Sequence, residues 1–286
     1  MFQGTTSDED QHFALKSVEG ADIFQTEWRS LQKVTHKWSP HLIKLLCSIE
    51  HGPKKYLIMP YAHGNLQKLW AEQPDDPQAA RDANTGRWLA SQILGLAKGL
   101  KDIHNCILDQ ARWPPSMRPS EANRKYGVHG DIKPANILWF RDHMLDEPTT
   151  GLGLLQITDF GFSDFKDSAV SEAAPAKGLT PQYRPPEYEE NDRKISAKSD
   201  IWAFACVLIE FLTWYLKGLP GLEKFEAARE TLTYYGIKDK AYFELKLLGE
   251  TPVQATKHNE VKDVRDPYSL FMLDGVLALT SGGYCV

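Results

Sequence analysis

Between residues 129 and 140 the chain reads HGDIKPANILWF, which places a histidine, an aspartate, a lysine and an asparagine within eight positions, just ahead of a short apolar run. Asp131 can take a proton from a hydroxyl, Asn136 offers a neutral amide oxygen to a hard cation, and Lys133 can offset charge on a transferred phosphoryl group. His129 reads as a packing and orienting residue rather than a reactive one. Another carboxylate, Asp159, stands in ITDFGF directly after a second apolar stretch. Two loops at strand ends therefore supply the hard-oxygen set that holds Mg²⁺ and its phosphates, while a further carboxylate handles the proton.

Such loops need elements to position them. ANILWF and LLQITDF read as short strands around a second loop at 141–153. HFALKSV, at 12–18, alternates so that Ala14, Lys16 and Val18 share one face of a strand. Phe24, Trp28, Leu31 and Val34 recur at helical spacing, with Asp22 and Gln25 placed to cap the helix and Glu27 on an adjacent face. KYLIMPYAHGNL, at 55–66, begins as a buried strand and breaks at Pro60 and Gly64 into a link. A helix is predicted over 86–104 with Trp88, Ile93, Leu96, Leu100 and Ile103 inward, followed at 105–128 by an irregular insert containing Pro114, Pro115 and Pro119. From Lys198 onward the chain reads as helical, and the pattern fades beyond Asn259. The apolar run from Ile201 to Leu216, interrupted by Glu210, is expected to be a buried helix and not a membrane span. A strand-containing first part, a link and a mainly helical remainder make an α+β pattern in two lobes.

Composition narrows the classes. A chain of 286 residues with 42% hydrophobic content can bury a large core. A net charge of -5 supplies no basic field, so nucleic acid is not an expected partner, and the acidic run at 7–10 reads as a solvated stretch. Cys47, Cys106, Cys206 and Cys285 form no C-x-x-C pair and suggest neither a zinc site nor a disulfide framework. With no signal-like N-terminus, the expected setting is intracellular, cytoplasmic or nuclear, without a membrane partner. Oligomeric state is not legible at this level.

In their order along the chain, FALK around Lys16, Glu27, HGDIKPAN, DFG at 159–161 and TPQYRPPE at 180–187 resemble the signature set of the eukaryotic protein kinase domain of Ser/Thr type. SDIWAFACVLIE, at 199–210, resembles the buried helix that supports the catalytic loop of that family through Asp200. The resemblance runs from residue 12 to about 215 and implies a bilobal α+β fold. A truncated β-rich lobe would occupy 1–61 and a mainly helical lobe 62–286, with the catalytic loop at 129–136 and the activation segment at 159–187. It implies ATP and Mg²⁺, and a protein substrate bearing the accepting hydroxyl. Asp131 would be the base and Lys133 the phosphoryl-stabilising cation. Asn136 and Asp159 would bind the metal, and Lys16 paired with Glu27 would position the α and β phosphates. Adenine would lie between Ala14 and Leu138, with Met59 as gatekeeper and the Pro60 carbonyl and Ala62 N–H at its edge. His129, Phe160, Leu31 and Leu45 fall where the family stacks a regulatory column of side chains. The insert before the catalytic loop, with HLIKLL and HGNLQKLW, is similar to a group of fungal kinase-like proteins.

Three departures stand out. No G-x-G-x-x-G precedes Lys16, which has fifteen residues before it, so the turn that covers the phosphates is expected to be missing. Gly130 replaces an arginine that in many members receives an activation-loop phosphate, which leaves Ser163, Ser168 and Ser171 as ordinary polar loop residues. The family's last helices do not register after about residue 250, and Arg265 is the late candidate for the arginine that pairs Glu187. The expected function is a Ser/Thr protein kinase impaired by the missing turn. One alternative is a pseudokinase that binds partners through the helical lobe. Another is a small-molecule kinase of the aminoglycoside or choline type, which HGD with an asparagine five residues on also resembles. Lys133 where those enzymes usually have histidine, the DFG and TPQYRPPE argue against the last.

Overall fold

Alternation makes the first strand. In β1 (Phe13–Val18) Ala14, Lys16 and Val18 turn inward while Phe13 and Leu15 stay exposed. Gly20, at φ +89, turns the chain out of β1, and Phe24 N donates to the Gly20 carbonyl at 3.0 Å. The helix α1 (Ala21–Thr35) thus begins ahead of Asp22, which lies inside the first turn and not at the predicted cap. Its charge still favours that end of the helix. Phe24, Leu31 and Val34 are buried as the spacing predicts, and Glu27 is buried with them. The strands β2 (Cys47–His51) and β3 (Lys54–Pro60) complete an antiparallel sheet of order β1-β3-β2, in which Pro60 ends β3 opposite Phe13.

The computed structural model describes residues 12–35, 39–73, 83–105, 126–141, 152–160, 164–166, 174–175, 180–190, 194–232, 238–248 and 251–257. The acidic run at 7–10, Cys106, Gly161, Ser163, Ser168, Ser171, Arg265 and Cys285 lie outside them. After the link come β4 (Gly64–Asn65) and α2 (Leu66–Glu72), which Asn65 caps by accepting from Lys68 N. The helix α3 (Ala83–His104) buries Trp88, Ile93, Leu96, Leu100 and Ile103, as its periodicity predicts. Of the predicted insert at 105–128, residues 106–125 lie outside the described residues, and its last three form β5 (Tyr126–Val128). A 3-10 turn at Pro134–Asn136 leads into β6 (Ile137–Phe140) and β7 (Leu154–Ile157), which join β4 in a sheet of order β4-β6-β7. The strand β8 (Asp164–Lys166) pairs back with β5.

Next are β9 (Ala174–Pro175), a second 3-10 turn at Pro181–Tyr183, α4 (Glu187–Glu190) and β10 (Lys194–Ile195), the last paired with β9. Ser196 and Ser199 form a reciprocal capping box that starts α5 (Ala197–Ala228). The helix breaks direction at Gly218, φ +69, two residues before Pro220. It is long and apolar enough to cross a membrane, yet 67% of its most apolar stretch is buried in the core. The predicted helical continuation does not hold beyond it. The chain turns to strand in β11 (Thr231–Leu232), β12 (Lys238–Asp239) and the hairpin of β13 (Phe243–Leu248) and β14 (Thr251–Lys257). Pro252 and the β-branched Thr251, Val253 and Thr256 favour that outcome over a helix.

One apolar core joins α1, α3, α5, β6 and β7, with Leu31, Trp88, Leu96, Trp139, Phe160 and Phe211 at its centre. Three of its indoles are satisfied: Trp88 Nε1 donates to the Gly153 carbonyl at 2.6 Å, Trp139 Nε1 to that of Leu152 at 2.7 Å and Trp214 Nε1 to that of Trp70 at 3.2 Å, while Trp70 Nε1 has no hydrogen-bond partner. The loop after α1 sits on α3 because Gly95 has no side chain, since a Cβ there would lie 1.9 Å from His41 Nε2.

Candidate active site

The first turn of α5 supplies the anchor. Asp200, 1% exposed, accepts from His129 N at 2.7 Å and Gly130 N at 2.8 Å and meets His104 Nε2 at 2.9 Å. Bonds to a buried carboxylate are worth about 1.5–3 kcal/mol each, enough to fix the loop ahead of Asp131. Gly130 has φ +84, a conformation that glycine adopts freely, so the backbone itself gives a reason for glycine where the resemblance has arginine. His129 donates from Nε2 to the Thr158 carbonyl at 2.9 Å, accepts at Nδ1 from Asp131 N at 3.3 Å, and sets its ring 5.2 Å from that of Phe160. Every one of these contacts is structural. Phe160 and Leu31 are buried beside it and Leu45 is partly buried.

Asp131, 4% exposed, stands at the centre of a closed set of hydrogen bonds. Its Oδ1 accepts from Thr180 Oγ1 at 2.8 Å, and its Oδ2 from Asn136 Nδ2 at 2.9 Å and from Lys133 Nζ at 2.7 Å. Lys133 Nζ also donates to Thr180 Oγ1 at 2.8 Å. A carboxylate has about four acceptor positions, and three are engaged here, which leaves one for an incoming hydroxyl. Asn136 Nδ2 donates as well to the Asp131 carbonyl at 2.8 Å, so the amide group presents its oxygen as the unengaged atom.

Lys16 reaches across from β1. Its Nζ lies 2.5 Å from Glu27 Oε1 and 2.8 Å from Asp159 Oδ1. Burial works against the charge of Lys16, but the hydrogen bonds to Asp159 and Glu27 outweigh it and hold its pKa above the ordinary lysine value. Glu27 shifts up as well, because burial is the larger effect there and Lys16 only partly offsets it. The two shifts weigh the same pair differently. The lysine, at 38% side-chain exposure, is securely charged, and the buried carboxylate is the partner under strain. Asp159 holds the left-handed conformation at φ +67, and Thr158 N donates to the Asn136 carbonyl at 3.0 Å, so the two loop ends are stitched together.

The donor set suits Mg²⁺. That ion keeps several waters and binds substrate phosphates, so it asks for only one or two protein carboxylates, and here Asp159 and the Asn136 amide oxygen stand on adjoining loop ends. Among the described residues no group of three His, Cys, Asp or Glu forms a protein-only metal cage.

Above this floor lies a cavity of about 420 Å³ lined by Ala14, Met59, Pro60, Ala62 and Leu138, with Tyr61, Gly64, Asn65, Lys68 and Ala135 completing its wall. That volume is in the range of small-molecule sites. The structure therefore brings all the sequence-predicted residues to two adjoining places: Ala14, Met59, Pro60, Ala62 and Leu138 in the cavity, and Lys16, Glu27, Asp131, Lys133, Asn136 and Asp159 in the polar cluster. Sequence reasoning missed a second buried cluster. Glu210, Arg229, Tyr183 and Tyr242 meet beneath the Pro181–Tyr183 turn, and Arg229, 0% exposed, pairs Glu210 and not Glu187. An acidic residue inside an otherwise apolar run was the available signal, because a buried charge requires a partner.

The chain is similar to known protein kinases. The profile of the protein kinase domain matches residues 122–261. The serine/threonine-protein kinase nekl-2 of Caenorhabditis elegans is 30% identical over 189 residues, 66% of this chain and 44% of that protein. The human cyclin-dependent kinase-like 4 is 28% identical over 189 residues, 65% of this chain and 38% of that one. A solved structure of the Cydia pomonella granulovirus kinase PK-1 shares 21% identity over 73% of this chain and 62% of its own, at a TM-score of 0.49. The chain spans less than half the length of the two curated relatives.

Proposed function

We propose that the eukaryotic protein kinase domain carried by this chain transfers the γ-phosphate of ATP to a serine or threonine hydroxyl of a protein. The observation that carries this reading is the closed set around Asp131, in which Thr180, Lys133 and Asn136 hold the carboxylate and leave one acceptor position open. In the reaction Asp131 takes the proton of the substrate hydroxyl as its oxygen bonds to the γ-phosphorus. The bond from that phosphorus to the β–γ bridging oxygen breaks, and ADP departs with the electron pair. Lys133, bonded to both Asp131 and Thr180, is placed to offset charge on the phosphoryl oxygens. Lys16, held by Glu27, orients the α and β phosphates, and Ala14 and Leu138 enclose the adenine. Asp159 and Asn136 would hold Mg²⁺, whose charge would offset that of the phosphates.

Thr180 is the residue that favours a short aliphatic hydroxyl, because its own hydroxyl occupies the flank of Asp131. The test has three readouts. Mg-ATP should bind the 286-residue chain weakly, above the low-micromolar range, because no Gly-rich turn is legible ahead of Lys16. Products formed on a mixed peptide library should carry phosphoserine and phosphothreonine. Asp131→Asn should lower the rate about a thousandfold and leave nucleotide affinity within about twofold. Mainly phosphotyrosine would overturn the specificity, and binding with no transfer to any peptide would favour the pseudokinase reading.

A further inference from the structure

The two edges of the β1-β3-β2 sheet are finished differently. At β2, Leu46 N donates to the Ile58 carbonyl at 2.9 Å although Cys47 is the residue paired with Ile58, so two residues face one in a bulge. Glu50 and Lys55, paired across β2 and β3, add an ion pair to that edge. Bulges and charged side chains are devices that keep an edge strand from pairing further. At β1 neither is found. That strand is six residues long, contains no proline and keeps a regular register against β3, and its one charge, Lys16, is bound to Glu27 and Asp159.

The register also says which backbone groups of β1 are free. The Ile58 carbonyl is directed at β2, and the groups of successive residues point to opposite sides of a strand, so Leu57 and Met59 serve β1. Their partners there are Lys16 and Ala14. The N–H and C=O groups of Phe13, Leu15 and Ser17 therefore point away from the sheet, and among the described residues no strand pairs with them. The side chains of these three residues are exposed and carry no charge, and two of them are large and apolar.

We propose that β1 pairs antiparallel with β1 of a second copy of this chain, joining two three-stranded sheets into one six-stranded sheet of order β2-β3-β1-β1-β3-β2. A strand antiparallel to itself is related by a two-fold axis, so the contact is self-complementary and closes at two copies. The residues select the register. With the axis at Leu15, that residue meets Leu15 of the second copy, Phe13 meets Ser17, and every free backbone group finds a free partner, while Ala14 meets Lys16 and leaves its ammonium to Glu27 and Asp159. An axis at Lys16 would set two ammonium groups opposite each other, and one at Ala14 would leave only residues 13–15 in register. The pairing completes the site as well. Ala14 lines the cavity and Lys16 faces Asp159, so β1 is the border of the cleft's roof, and a strand set beside it at about 4.8 Å continues that roof on the side where no Gly-rich turn is legible. This consequence for the nucleotide rests on the function proposed above, while the pairing itself does not.

Analytical ultracentrifugation of the full chain tests the pairing without any need for activity. Loaded from about 1 to about 100 µM, the mass should rise from 32.4 kDa toward twice that value. Leu15→Lys sets two charges against each other at the axis and should raise the dimer dissociation constant about tenfold. Leu15→Pro, which removes an N–H that β3 does not use, should act in the same direction, and if it does not fold, Leu15→Lys decides the matter. Ile49→Lys, at a comparably exposed site on the opposite edge strand, should leave the constant within about twofold. In residue-resolved hydrogen exchange the Leu15 and Ser17 amides should slow as concentration rises, while those of Ala14 and Lys16 stay slow throughout. Mg-ATP should bind the dimer about fivefold more tightly than the monomer, and Mg-ATP should strengthen the dimer by the same factor. A chain that stays monomeric across the range would overturn the proposal, whether its Leu15 amide exchanges fast or is covered by another part of the chain. So would a dimer that Ile49→Lys disperses and Leu15→Lys does not. A dimer that dissociates in Leu15→Lys but takes up no Mg-ATP would leave the pairing standing and sink the proposed reaction instead.

Discussion

The floor and the roof of the cleft are built on different terms. On the floor, Asp131 and Asp200 are nearly inaccessible, and the polar atoms that point at them come from the catalytic loop, from Thr180 and from the end of α3. The roof is a three-stranded sheet in which every residue of β2 is exposed, and Leu15, Leu46, Ile49 and Tyr61 show between 36% and 48% of their surface. Among the described residues, the two share one apolar core and a set of hydrogen bonds, including His41 Nδ1 to the Leu155 carbonyl at 2.8 Å and Gln156 Nε2 to that of Pro40 at 2.7 Å. Lys16 reaches Asp159, and the loop after α1 is stitched to β7 by Ile157 N on the His41 carbonyl at 2.8 Å and Ile43 N on the Ile157 carbonyl at 3.0 Å. The groups that would handle the proton are therefore over-determined, whereas those that would face the nucleotide sit on a sheet packed on its inner side and open on its outer one.

Three substitutions would break or sharpen that contrast. On the floor, Asp200→Ala strips the acceptor from two buried backbone amides and His104, so global stability should drop by about 3 kcal/mol in denaturant titration. A loss under about 1 kcal/mol would show the loop to be held by other means. Between floor and roof, Lys16→Met removes the link to Asp159 and the partner of Glu27. Mg-ATP affinity should fall about tenfold, or roughly 1.4 kcal/mol by calorimetry, with the fold retained. On the roof, Leu15→Ser trades one exposed apolar side chain for a polar one and should move the thermal midpoint by no more than about 0.5 kcal/mol warrants. A large loss there would mean that the outer face of the sheet is covered in the folded protein.

Legibility in the sequence follows the same division. Asp131, Lys133 and Asn136 lie within six positions, and Asp159 directly follows an apolar strand, so local spacing was enough to pick them out. The periodicities of β1, α1 and α3 were equally readable because each places its apolar residues on one face. Asp22 misled because Gly20 starts the turn before it, and spacing alone cannot tell a cap from a first-turn residue. The hairpin of β13 and β14 was hidden because FELKLL alternates too little to separate a strand from a helix that continues the long apolar one. Arg229 was the hardest case. It sits in FEAARETL, an ordinary amphipathic stretch, and only the tertiary arrangement brings it beneath Glu210, nineteen residues earlier.

The bonds that define the floor also carry a message about the order of assembly. Asp200 meets His104 across 96 residues and His129 across 71, Thr180 meets Asp131 across 49, and Lys16 meets Asp159 across 143. Closing such loops costs chain entropy before any contact repays it, so none of these pairs can act as an early nucleus. The local helices α3 and α5 can form first, but the reactive constellation closes only when nearly the whole chain has been threaded into place. A nascent or partly unfolded chain would therefore hold the residues of the site without their arrangement.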